Sequence, residues 1–172
     1  MPTMPDPPRH ATVEKVYLHH IPVSLLNAFN TNNRINQYLI DKLPLAAWNL
    51  KPAKGQGRTV AAIVAHMHNV RVMWLKAAKA KEIPAQLDRA TVTPGQAVRA
   101  LERSRHALSR VLSQALAGDG HVRGFRPDVA GFLAYLIAHD AHHRGQITML
   151  ARQLGHALPQ KAMFGMWEWN SR

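Results

Sequence analysis

Residues 138–146 read Ala-His-Asp-Ala-His-His-Arg-Gly-Gln, inside a run from Val129 to Leu154 whose apolar residues recur with helical spacing. This periodicity predicts one long helix. Each residue turns a helix by about 100°, so His143 lies about 40° from His139, and His142 lies about 60° to the other side. His139 and His143 can therefore reach one divalent ion from the same face, and His142 is the alternative to His143.

The same spacing of two histidines occurs in the HExxH motif of zinc proteases. This chain has Asp140 and no Glu between the two histidines, so the protease interpretation does not apply. Two imidazoles alone hold a catalytic ion poorly, because catalytic sites of this kind use three protein ligands. The sequence must therefore supply a third ligand from another element.

A second helix is predicted from Val60 to about Leu75, with Thr59 as its N-cap. His66 and His68 point about 160° apart on it. His66 shares its face with apolar residues, whereas the face of His68 includes Arg71, so His66 is the candidate for burial and for the third ligand. A single histidine on an apolar face is more often satisfied by an ordinary hydrogen bond, but three buried imidazoles without a shared role would each carry a desolvation cost.

Two further helices are predicted, one between Pro22 and Pro44 and one from about Gly95 to Leu116. We expect residues 1–22 to form an extended or partly ordered N-terminal arm and residues 23–172 to form an all-α four-helix bundle. The C-terminal tail from residue 158 carries several aromatic residues, which predicts that it folds back over the bundle or covers a partner subunit.

The polar residues of the first and fourth helices can lie at the surface or near the proposed site. Five asparagines lie between residues 27 and 36, and we favour a solvated face over the alternative that one of them faces the interior and bonds a neighbour of the site. Asp140 and Arg144 are expected to form a surface or interface pair. No acidic residue is expected on an inward face, so a general base is hard to find.

Composition narrows the classes of function. The chain has no cysteine, which excludes disulfides and thiolate ligands, and it has a formal net charge of +12. The basic residues are scattered and no nucleic-acid-binding motif is present, so we do not expect nucleic-acid binding. We expect no signal peptide and no membrane span, and hence a cytoplasmic protein.

Two motifs carry a resemblance to a known family: Thr59 to His66 at the start of the second helix, and His139-x-x-x-His143-Arg144-Gly145-Gln146 in the fourth. With the C-terminal tail, the chain resembles the DinB/YfiT-like superfamily from about Leu25 onward. The resemblance implies a bundle with an up-down-down-up chain order, frequent homodimers, and a metal triad that falls on His66, His139 and His143. Some members are thiol transferases or isomerases that use a low-molecular-weight thiol.

Three imidazoles leave part of the coordination shell of a metal open, which is typical of catalytic sites. We expect a divalent ion, with Zn first and Ni or Fe as alternatives. The expected function is a metal-dependent enzyme acting on a small molecule, resembling a thiol transferase or a hydrolase. The alternatives are a stress-response binding module with a structural metal, and a basic nucleic-acid-binding protein.

Overall fold

A computed structural model describes residues 9–52 and 55–171, with side chains from residue 20 onward. Within these ranges the chain is all-helical, apart from one isolated bridge between His121 and Asp128. The helices are α1 (Arg9–Lys42), α2 (Val60–Ala77), α3 (Pro94–Ala117), α4 (Val129–Gln153) and the short α5 (Gln160–Gly165), with 3₁₀ turns at Leu45–Ala47 and Trp169–Ser171. The α1 and α2 helices each pack against both α3 and α4.

The starts of α2, α3 and α4 are each capped by a side chain, and α2 has the N-cap Thr59 that the sequence predicts. Thr59 accepts from the backbone N–H of Ala62, and Asp128 accepts from that of Gly131. Thr93 forms a reciprocal capping box with Gln96 before α3. These caps satisfy amide groups that have no partner inside the helix, which fixes where each helix begins.

The α1 helix begins earlier than the sequence predicts. It starts at Arg9 and continues through Pro22, so residues 9–22 are helical and not extended, and residues 1–8 lie outside the described part. Proline removes one backbone hydrogen bond from a helix interior but leaves the others. Ile21 and Val23 beside it are 49 % and 56 % exposed, so tertiary packing does not constrain this turn.

Two apolar clusters fill the interior, and a polar layer lies between them. One cluster contains Leu39, α2 residues up to Met67, and Ile147. The other contains Phe29, Leu75 and α4 residues up to Leu136. The residues between these positions include buried polar groups from all four long helices: Asn32, Asn33, Asn36, His68, Arg71, Ser104, Asp140 and His143.

The C-terminal tail lies against the bundle through Leu158, Ala162 and Gly165. Leu158 and Ala162 are buried in the first apolar cluster. Gly165 approaches Tyr38 so closely that a Cβ atom at this position would collide with the tyrosine ring. The tail therefore folds back over the bundle, which is one of the two expected arrangements, and Phe164 and Trp167 stay 62 % and 79 % exposed.

None of the helices in the described residues is both long and apolar enough to span a bilayer.

Candidate metal centre

The structure brings His66, His139 and His143 together, as the sequence predicts. One ring nitrogen from each lies within 4.8 Å of the other two. The ring centroids of His66 lie 5.4 Å from His139 and 4.8 Å from His143, and the Nε2 atoms of His139 and His143 are 3.2 Å apart. A single ion with metal–nitrogen bonds of about 2.0–2.1 Å can touch nitrogens at such separations after small ring movements.

Two helices supply the three imidazoles. His139 and His143 are one turn apart on α4, and α2 packs against α4 and presents His66 to the same point. The side chain of His139 is 15 % exposed and His143 is 5 % exposed, while His66 is half-buried. The group is therefore held by packed helices and reaches solvent on one side.

Burial and neighbouring charges favour neutral imidazoles. Burial is the main cause that lowers the pKa of His66 to about 4, with smaller contributions from His143 and Arg58. Burial also lowers the pKa of His143, although its hydrogen bond to Gln146 acts in the opposite direction. Both rings are neutral at pH 7, so each has a nitrogen lone pair for a cation.

Gln146 fixes the orientation of His143. The Nδ1–H of His143 donates to Oε1 of Gln146 at 2.7 Å, which leaves Nε2 of His143 as the free lone pair facing the group. Nε2 of Gln146 donates to Nε2 of the exposed His142 at 2.9 Å. Gln146 itself is exposed rather than inward-facing, and His142 lies outside the three-histidine group.

Asp140 is buried, so the expected surface pair with Arg144 is wrong. Its Oδ2 atom accepts hydrogen bonds from Nη2 of Arg71 at 2.7 Å and from the side-chain amides of Asn32 and Asn36 at 2.7 and 2.8 Å. Arg144 instead donates through Nη1 to the amide oxygens of these two asparagines. The helical spacing of Asp140 and Arg144 is right, but the partners come from α1 and α2 and cannot be read from α4 alone.

The carboxylate of Asp140 stays charged in this layer. Burial raises its pKa, but the Arg71 guanidinium and the hydrogen bonds more than offset this and hold the pKa well below its usual range. Its Oδ1 atom lies 3.9 Å from Nδ1 of His139, longer than a hydrogen bond. The Asp140 carboxylate therefore lies on the Nδ1 side of the His139 ring, and Nε2 of His139 faces Nε2 of His143.

The burial of the α1 asparagines decides between the two interpretations of the five asparagines at residues 27–36. Asn32, Asn33 and Asn36 are each no more than 1 % exposed, so the solvated face is wrong for them and the inward alternative is confirmed. A signal existed in the sequence, because Asn32 and Asn36 continue the apolar stripe from Phe29 to Leu39 at spacings of three and four. Their burial is tolerated because each amide is hydrogen-bonded.

His68, not His66, is the fully buried histidine of α2. It is 0 % exposed, and its ring nitrogens lie 3.2 Å from Oγ of Ser104 and 2.9 Å from the carbonyl oxygen of Ala85. The sequence missed this because α2 is apolar on almost every face, so periodicity does not identify its inner side. His66 belongs to the three-histidine group as predicted, but it is less buried than His68.

Two arginines add positive charge beside the group. Arg58 precedes the N-cap of α2, and Arg89 lies in the connection to α3, which Asn69 ties to α2 by bonds to the backbone of Leu87. Both arginines are exposed, and both contribute to the lowered pKa of His66. Within the described ranges, no carboxylate joins the three histidines as a potential ligand.

The sequence profile of the DinB family matches residues 13–170. The chain belongs to the DinB family. No match was found among curated proteins or among solved structures. DinB family membership and the three-histidine group are together compatible with metal binding, and they agree with the resemblance carried by the motifs on α2 and α4.

Proposed function

We propose that this DinB protein binds a divalent metal ion through His66, His139 and His143 and is a metal-dependent enzyme. The observation that carries the proposal is the convergence of one nitrogen from each histidine within 4.8 Å. Three neutral nitrogen donors fit Zn, Ni or Fe, and Zn is our first choice because of its availability. Three ligands from the protein leave the rest of the shell for water and substrate.

A bound ion would supply a Lewis acid that lowers the pKa of a water or a thiol. The protein's own contribution is to hold the imidazoles in their tautomers, through Gln146 on His143 and the Asp140 carboxylate near His139. Asp140 is a poor candidate for a general base, because three donors already occupy its Oδ2 atom. This arrangement supports transfer of a thiol group over hydrolysis, since hydrolysis gains more from a nearby base.

The charge around the group supports an anionic small-molecule substrate, such as a low-molecular-weight thiol that carries a carboxylate. Arg58 and Arg89 place two exposed cations near His66, and Asp140 is balanced by Arg71. A dication held by three neutral rings adds further positive charge. An anion approaching this site would therefore be attracted before it reaches the metal.

Metal content and metal affinity test the proposed site. Protein purified without chelator is analysed by mass spectrometry for metals, and the metal-free protein is titrated with Zn²⁺ and Ni²⁺ by calorimetry. We expect one ion per chain, and loss of binding in His139→Ala. His106→Ala is the matched control, because His106 is exposed and lies outside the group. His142→Ala tests whether His142 is the ligand in place of His143, and we expect this variant to retain the ion. Unchanged metal content in His139→Ala would refute the site.

Turnover separates an enzyme from the alternatives. Metal-loaded and metal-free protein are assayed against thiol-transfer substrates and against ester and amide substrates. Activity that appears only with metal supports the proposal. A metal that raises the melting temperature without any turnover supports a structural metal in a binding module. A mobility shift with nucleic acid that weakens steeply with salt would support the basic-surface alternative.

We also propose the up-down-down-up chain order, a homodimer and a cytoplasmic location, and we keep residue 22 as the domain boundary. The chain order is supported by the two apolar clusters. Along α1 and α4 the cluster containing Phe29 comes first, whereas along α2 and α3 the cluster containing Leu39 comes first. Sedimentation of the purified protein tests the homodimer.

A further inference from the structure

A groove of about 390 Å³ lies between α4 and the C-terminal tail. Ile137 and Ala141 form part of one wall, and Met163, Met166, Trp167 and Trp169 form the other. This volume falls in the range of small-molecule sites, which are typically apolar with a few polar groups. The exposed Trp167 ring borders the groove, so the tail leaves its indole available for a ligand.

The groove is separate from the three histidines. Its α4 residues Ile137, Ala141, Gly145 and Thr148 lie about 120–180° around the helix from His139. A ligand in the groove therefore contacts the opposite side of α4 from the proposed metal centre. The inference does not depend on metal binding.

Among the residues that line the groove, Thr148 is polar and Arg144 is charged. Its Nη1 atom is used on Asn32 and Asn36, at 2.7 and 2.6 Å, which fixes the guanidinium in place. Its Nη2 and Nε atoms donate to none of the described residues. Neither atom is among the fully buried ones that lack a partner, so both are accessible to solvent. The carboxylate of Asp140 interacts electrostatically with Arg144, but its ion pair, at 2.7 Å, is with Arg71.

We propose that this groove binds a small amphipathic carboxylate. The apolar part of the ligand lies against the methionine and tryptophan side chains, and its carboxylate accepts hydrogen bonds from the free N–H groups of Arg144. An immobilised guanidinium is well suited to this, because its fork of donors matches a carboxylate and less side-chain entropy is lost on binding. The charge of Arg144 favours an anionic ligand over a neutral or a cationic one.

Octanoate and 1-octanol test the role of the charge, because they differ only in the head group. Each is titrated into the purified protein and followed by tryptophan fluorescence and calorimetry. We expect octanoate to bind at one site per chain and octanol to bind at least about tenfold more weakly, as expected for the loss of a hydrogen bond between charged groups. His139→Ala should leave octanoate binding unchanged, which separates the groove from the metal centre.

Two variants and one control locate the site. Arg144→Gln should weaken octanoate by about tenfold and leave octanol within about twofold. Arg152→Gln, which removes an exposed α4 cation outside the groove, should change neither. Trp167→Ala should weaken both ligands alike, and its 79 % exposure makes a folding defect unexpected. Circular dichroism verifies the fold of Arg144→Gln, and if that variant does not fold, Trp167→Ala and the comparison of the two ligands decide.

Several results would overturn the proposal. Equal binding of octanoate and octanol would show that the carboxylate of the ligand contributes nothing to affinity. Unaltered octanoate binding in Arg144→Gln would show that Arg144 does not bind the carboxylate. Absence of saturable binding by octanoate would show that the groove takes no such ligand. A dimer in sedimentation that becomes a monomer in Trp167→Ala would show that a second copy of the chain covers the groove.

Discussion

Replacing Asp140 by asparagine tests the buried polar layer most directly. The carboxylate is 2 % exposed and its partner Arg71 is 1 % exposed. Asp140→Asn keeps the shape of the side chain but removes the charge, so Arg71 becomes a buried cation without a counterion. The new amide also brings donors toward Asn32 and Asn36, which already donate to this position.

The expected loss is large relative to the stability of a domain. Removing one partner of a buried ion pair costs about 3–5 kcal/mol, because the remaining charge stays desolvated. A folded domain is typically stable by about 5–15 kcal/mol. Asp140→Asn should therefore lower the free energy of unfolding by about 3–5 kcal/mol.

Urea denaturation of metal-free protein measures the loss, since removal of metal separates the stability of the layer from ligand binding. Glu82→Gln is the control, because Glu82 pairs with Arg110 at the surface, where both side chains are at least 46 % exposed. An exposed pair of this kind contributes about 0–1 kcal/mol. A loss in Asp140→Asn no greater than in Glu82→Gln would refute the argument that this charge is desolvated and paired.

The pH dependence gives an independent test of the same pair. The pKa of Asp140 is depressed in the folded state, so its stabilising effect is present above the unfolded-state pKa of about 3.9 and is lost as the pH falls toward the folded value. The difference in unfolding free energy between the native protein and Asp140→Asn should therefore be largest near pH 7 and shrink below about pH 4. A difference that does not change with pH would contradict the assignment.

Three further substitutions follow from single contacts. Gln146→Ala removes the acceptor of His143 Nδ1–H and should weaken Zn²⁺ binding by about 10–100-fold in calorimetry, with circular dichroism unchanged; unchanged affinity would contradict the orienting role. Thr93→Ala removes the capping box of α3 and should destabilise the protein by about 1 kcal/mol in urea denaturation, whereas no loss would mean that solvent caps the helix equally well. Ser104→Ala leaves the Nδ1 side of buried His68 without its hydroxyl partner and should cost about 1–3 kcal/mol in the same assay, without lowering metal affinity.

The bounds of α2, α3 and α4 could be predicted from sequence because their start signals are local. Thr59, Thr93 and Asp128 each act within three residues of themselves, so no tertiary information is needed. His139 and His143 could be paired for the same reason, since helical geometry alone places them one turn apart. The start of α1 could not, because the helix tolerates Pro22.

The stripe position of Asn32 and Asn36 hinted at buried asparagines, but the partners of Asp140 could not be predicted, because they lie on other helices. Asp140 on α4 requires Arg71 on α2 and two asparagines on α1, and a single helix read alone shows only isolated polar residues. The charge of such a residue favours a surface assignment unless its partners are known. The sequence predicted burial for His66 instead of His68 for a similar reason, because α2 is packed on nearly every side and periodicity does not identify its inner face.

The α4 helix presents three different surfaces within about three turns: histidines on one, the Asp140 carboxylate on the next, and the wall of the groove beyond it. A helix moves as a stiff body over such a length, so a rotation about its axis would displace all three at once. Arg144 lies where the second and third surfaces meet and holds α1 through two amides. The metal centre and the groove can therefore bind their ligands independently only if α4 does not rotate. The buried hydrogen bonds of Asp140 and Arg144 to α1 and α2 hold α4 in its orientation.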